Sequence, residues 1–134
     1  MKALYFGLDP ARCQLKKELI HVPLIQTKMR SLRELSLLLQ QLKPPTQLLF
    51  TSRVAVQYFF KLLTANKKFL YLKQLPAVAI GTATKELAMN KGLTTIAATT
   101  ATQEGMIGMI QPAQTYLWPR SSRSRDVLPC HYPH

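Results

Sequence analysis

The stretch LLFTSRVAVQYFF, Leu48 to Phe60, holds a strand and a helix with hardly a residue between them. Leu48, Leu49 and Phe50 make a short apolar run of the kind found in strands covered on both faces. Thr51 and Ser52 interrupt it with hydroxyls, and a serine directly ahead of an apolar-periodic segment is a helix N-cap. Val56, Phe59, Phe60 and Leu63 then recur at helical spacing and share one face. A buried strand running into an amphipathic helix is half of a βαβ unit, so the stretch predicts an α/β layer built on a parallel sheet.

The same alternation extends in both directions. Short apolar or β-branched runs predict strands over Ala3 to Phe6, Val22 to Gln26, Gln47 to Thr51, Ala77 to Ile80, Thr94 to Ala97 and Thr115 to Trp118. Ser31 and Glu34 have the S-x-x-E spacing of a capping box, with Leu32, Leu35, Leu38, Leu39 and Leu42 along one face beyond it. Lys43-Pro44-Pro45 ends that helix. Further helices are expected over Ser52 to Leu63, Thr82 to Lys91 before Gly92, and Gln103 to Ile110 before Pro112. Met106, Ile107, Met109 and Ile110 read as core packing, not as a cofactor box.

The chain has 134 residues, 47% hydrophobic and 18% charged, which suits one folded unit and excludes a disordered basic tail. Its longest uncharged stretch, Gly105 to Pro119, is broken by Pro112 and falls short of a bilayer span. The apolar start at Met1 to Leu8 stops at Asp9-Pro10, too early for a signal peptide. Two cysteines, Cys13 and Cys130, do not make a disulfide framework, and a cytoplasmic location is the expectation. Eighteen Lys and Arg against six Asp and Glu leave a net charge of +12. From Leu35 to Lys85 there is no acidic residue beside seven cations, so the partner is expected to be an anion.

In a parallel α/β sheet ligands settle outside the carboxyl ends of the strands, where helix N-termini present free N–H groups. Three segments there carry suitable residues: Thr51-Ser52-Arg53, Gly81-Thr82-Ala83-Thr84, and Trp118-Pro119-Arg120-Ser121-Ser122-Arg123. Together they suit a rim that binds carboxylates. The same residues also suit a purely structural role, with Ser52 and Thr82 as caps, Gly81 in a tight turn and the arginines in solvent.

Taken in order, LLFTSRVAVQYFF, VAIGTATKELAMNKGL (Val78 to Leu93), ATQEGMIGMI (Ala101 to Ile110) and YLWPRSSRSRDVLP (Tyr116 to Pro129) resemble uroporphyrinogen-III synthase. The opening MKALYFGLDP and HVPLIQTKM match the first two strands of that family. The match spans nearly the whole chain but about the first half of the family's usual length. The resemblance implies a flavodoxin-like lobe, one of two in the family fold, with the second lobe largely missing. On that pattern residues 1–30 are strands of the first, incomplete lobe, residues 31–129 are a nearly complete second lobe, and residues 130–134 are a disordered tail. A truncated or frame-shifted product, or a fragment, is the expectation.

For chemistry the resemblance implies a cyclising hydro-lyase that turns hydroxymethylbilane, a linear tetrapyrrole, into uroporphyrinogen III with its last ring inverted. Neither cofactor nor metal is implied. The family is monomeric, and an exposed sheet edge makes self-association of this chain an expectation. The resemblance matches Thr51 and Ser52 to the family's F-T-S turn, Gly81 and Thr84 to its G-x-x-T turn, and Arg120 with Arg125 to its basic turn. Arg53 and Thr82, beside them in the same turns, complete the expected substrate-binding set. Val54 stands where the family often has Asn, and Ser121-Ser122 where glycine is usual. The family's tyrosine that assists hydroxide departure matches neither Tyr116 nor Tyr132, so no catalytic residue is assigned.

Two other readings compete. A small basic RNA-binding protein would use Lys67-Lys68 and Arg120, Arg123 and Arg125 on phosphates, but no RNP-like aromatic motif accompanies them. Cys130, His131 and His134 with Cys13 and His21 number enough ligands for zinc, yet no C-x-x-C pair exists. There is no G-x-S-x-G motif either, and the histidines fall in a linker and a tail, which excludes hydrolase triads.

Overall fold

The structure is a computed structural model, and the residues it describes are 3–5 and 19–21, by their backbone, together with 28–41 and 43–121. Two short strands, β1 (Ala3–Tyr5) and β2 (Leu19–His21), pair in parallel as a sheet of their own, with Leu4 opposite Ile20. The strand expected over Val22 to Gln26 lies outside the described residues, and the observed one sits just ahead of it. Also outside are Leu42, Cys13, Cys130, His131, His134, Arg123 and Arg125.

Ser31 opens α1 (Leu32–Gln41), its Oγ accepting the Glu34 N–H at 3.2 Å, half of the expected capping box. The leucine face expected on this helix is only partly covered. No residue of α1 is buried, and Leu32 and Leu38 are exposed, while Leu39 packs against the core. The cause is placement: α1 rests chiefly on α2, tied there by the Asn66 Nδ2–H bond to Ser36 Oγ at 2.9 Å, so only a narrow strip of it is covered.

Next come β3 (Gln47–Phe50), α2 (Arg53–Ala65), β4 (Ala77–Ala79), α3 (Thr82–Asn90), β5 (Thr95–Ala97), α4 (Gln103–Ile107) and β6 (Tyr116–Leu117). All pairings are parallel, in the order β5-β4-β3-β6. Counted from β3 this is 3-2-1-4, so the expected parallel α/β sheet with flanking helices holds, in a doubly wound order. The chain steps outward from β3 to β5, then returns to the far side of β3. Right-handed crossovers require that such a reversal move the next helix to the opposite face. Two core clusters agree with that: Leu48 and Phe50 pack with Val56, Phe59 and Leu63 of α2 and Ala88 of α3, while Leu49 and Val78 pack with Met106 of α4. The Met106, Ile107, Met109 and Ile110 group is core, as expected.

α4 stops at Ile107, short of the expected Ile110, and turns through Gly108. A 3₁₀ segment, Lys67–Gln74, was not expected from the sequence. Phe69, Leu72 and Leu75 fall on a three-residue period, the repeat of a 3₁₀ helix, and turn inward together. Gly92 ends α3 at φ 94°, with the Leu93 N–H reaching Ala88 O at 3.1 Å, a left-handed cap that only glycine adopts without cost.

Candidate functional site

Because every strand of the larger sheet is parallel, the loops after β3, β4, β5 and β6 all emerge at one edge. They are stitched to one another there. The Ile80 N–H after β4 bonds Phe50 O of β3 at 2.9 Å, and the Ala98 N–H after β5 bonds Ala79 O of β4 at 3.0 Å. Across the reversal, the Trp118 Nε1–H after β6 bonds Thr51 Oγ1 at 3.0 Å. In doubly wound sheets the crevice beside such a reversal is where ligands bind.

Ser52 caps α2 with its Oγ accepting the Ala55 N–H at 3.1 Å, as the sequence predicts. Thr51 and Arg53 flank it, both half-buried. Gly81 caps α3 with no side chain, so no hydroxyl occupies the N–H groups of that helix's first turn. It is buried, and a Cβ there would stand 2.9 Å from the Ala101 Cβ, so the turn after β4 and the loop after β5 approach as closely as a glycine allows. Thr82 is exposed at the rim. Thr84 is 5% exposed, so its place in the rim is by way of backbone, with little of its side chain open to a ligand.

Arg120 lies with its guanidinium carbon 4.4 Å from the centre of the Trp118 ring, a cation–π stack. The ring also packs against the cluster of Leu49, Val78, Ala98 and Met106. The structure therefore gathers Thr51, Ser52, Arg53, Gly81, Thr82 and Arg120 at one edge; Arg125 lies outside the described residues. Sequence reasoning left out the loop after β5, where Thr99 and Thr100 stand exposed on the same edge and Thr102 caps α4 by accepting the Gly105 N–H at 3.0 Å. The run of hydroxyls between a strand and a helix was the available signal. It placed Trp118 in the third segment but gave it no contact, since its partner lies 67 residues away in the chain.

A separate open groove of ≈ 580 Å³ lies toward the other end of α2, lined by Gln57, Phe60, Lys61, Thr64, Ala65 and Lys91. The ammonium groups of Lys73 and Lys91 stand 5.8 and 5.9 Å from the Phe60 ring centre. This groove belongs to the amino end of the sheet, away from the loops described above. Phe59 and Phe69 are buried in the core, which removes them as stacking platforms for nucleic-acid bases. Among the described residues no group of His, Cys, Asp and Glu is placed to hold a metal, and no helix is long and apolar enough to cross a membrane.

A family model described as uroporphyrinogen-III synthase HemD matches residues 11–131. No curated protein matches the chain in sequence. Among solved structures, the uroporphyrinogen III synthase of the extremely thermophilic bacterium Thermus thermophilus superposes with a TM-score of 0.57 at 18% identity. That superposition covers 98% of this chain and 56% of the other, so the chain spans little more than half the length of that relative. At this identity the likeness is one of fold.

Proposed function

Because the chain belongs to the uroporphyrinogen-III synthase family, we propose that it serves tetrapyrrole biosynthesis by acting on hydroxymethylbilane. The reaction is a cyclising dehydration that yields uroporphyrinogen III with the last ring inverted. One observation carries the reading: hydroxylated and cationic loops after successive strands meet at a single sheet edge, beside the reversal in strand order. Such a rim suits a flexible molecule with several carboxylate arms.

The linear substrate also closes unaided, without the inversion. The task of the protein is then to hold a particular folded geometry, a matter of orientation and not of a nucleophile. Thr51, Ser52 and Thr82 supply hydroxyls, Arg53, Arg120 and Arg125 supply charge, and the turn from Gly81 to Thr84 supplies backbone N–H groups. Residues 31–129 act as one lobe in this reading, and the separate β1–β2 pair supports assigning residues 1–30 to the other. Two cysteines in the whole chain agree with a reducing, cytosolic setting.

The test is to add freshly made hydroxymethylbilane to the purified chain and measure type III against type I product. A III-to-I ratio above that of protein-free buffer is expected; a ratio equal to buffer overturns the proposal.

A further inference from the structure

We propose that Trp118 is a positioning residue that organises one carboxylate subsite, with the Thr51 hydroxyl at its indole N–H edge and the Arg120 guanidinium on its face. The inference rests on the polycarboxylate reading above and assigns part of that site to a residue outside the hydroxyl and cation set. Trp118 follows β6 directly, so the sheet sets its position, and the Met106 cluster holds its ring. Two groups then depend on it, the hydroxyl at 3.0 Å and the guanidinium carbon at 4.4 Å.

A threonine hydroxyl has two lone pairs and one proton. Accepting the indole N–H uses one lone pair of Thr51 and leaves its proton, the part of the hydroxyl that a carboxylate can engage. A hydroxyl that accepts a bond also donates more strongly, because successive hydrogen bonds polarise one another. Contact with the indole face limits where the Arg120 guanidinium can swing, and its planar N–H fork is of the shape that pairs with a carboxylate. Both groups surrender rotamer freedom before the ligand arrives, which lowers the cost of binding it.

The chain contains one tryptophan, so indole emission reports on this site alone. The probe is mellitate, a non-reactive benzene polycarboxylate, titrated by calorimetry into the full chain and followed by emission wherever Trp118 is present. Trp118→Phe keeps a ring and removes the N–H; Thr51→Val removes the acceptor; Thr51→Ser restores it. Each of the first two is expected to weaken mellitate binding about tenfold, the loss of one charge-assisted hydrogen bond. Their combination is expected to cost little more than either alone, because both break the same unit, and Thr51→Ser is expected to bind as the parent does. Wild-type chain that binds no mellitate overturns the polycarboxylate reading itself. Parent-like binding by folded Trp118→Phe, or fully additive losses in the double variant, overturns the positioning role while leaving that reading intact.

Discussion

The indole nitrogen of Trp118 donates to Thr51 Oγ1 at 3.0 Å and thereby joins the ends of β6 and β3, the two strands that flank the reversal in sheet order. Thr51 directly follows the strand that starts the larger sheet, and Trp118 directly follows its last described strand. The contribution of this bond to stability and the role proposed for it in ligand binding separate by measurement.

Thr51→Val leaves the half-buried indole N–H without its acceptor and is expected to cost about 1 kcal/mol. Urea denaturation followed by tryptophan emission measures it, and Thr51→Ser should stay within error of the parent. A Thr51→Val chain as stable as the parent would show that solvent replaces the bond at no cost.

Ser52→Ala removes the α2 cap and should lower stability by about 1 kcal/mol. Ser52→Asp is expected to keep the cap, and so the stability, while placing a negative charge on the rim. Its mellitate affinity should therefore fall although its melting temperature does not. If affinity and melting temperature move together, the rim is not where the anion sits.

Gly105 and Gly108 form a matched pair. A Cβ at Gly105 meets the Thr100 carbonyl oxygen, with the Thr100 Cβ at 3.0 Å, whereas nothing stands within 4 Å of one at Gly108. Gly105→Ala is expected to destabilise by roughly 1–3 kcal/mol through overpacking. Gly108→Ala should be neutral or stabilising by up to about 1 kcal/mol. Thermal melts of the two variants decide it, and equal effects would contradict the close approach of the β5 loop to α4.

Phe59 is 3% exposed and meets Phe50 edge to face at 5.4 Å, while Leu38 on α1 is 49% exposed. Phe59→Ala is expected to cost about 3–5 kcal/mol, and Leu38→Ala to stay within about 0.5 kcal/mol of the parent. A large loss at Leu38 would mean that α1 is covered in solution.

Much of this molecule was legible from local pattern, and specific residues show why. Ser31, Ser52 and Gly92 mark helix ends through bonds to residues only a few positions away, so the signal and its cause lie in the same short segment. Leu48, Leu49 and Phe50 announce a covered strand because burial on both faces demands an unbroken apolar run. Thr51, Ser52 and Gly81 were readable as rim residues because a parallel sheet sends every strand end to one side. How little of the α1 leucine face is covered was not legible, because periodicity shows that a helix has an apolar face, and not how much of it a neighbour covers.

What the amino-acid order determined by itself, then, was the alternation of strands and helices, their caps, and a hydroxylated, cationic edge. Only the tertiary structure decided that β6 lies beside β3, that Gly105 must admit Thr100, and that Trp118 reaches Thr51 across 67 residues. These contacts close long loops, whose entropy is repaid by packing summed over the whole sheet. No short window of sequence contains that sum, so strand order and the pairing of distant side chains emerge only when the layers assemble.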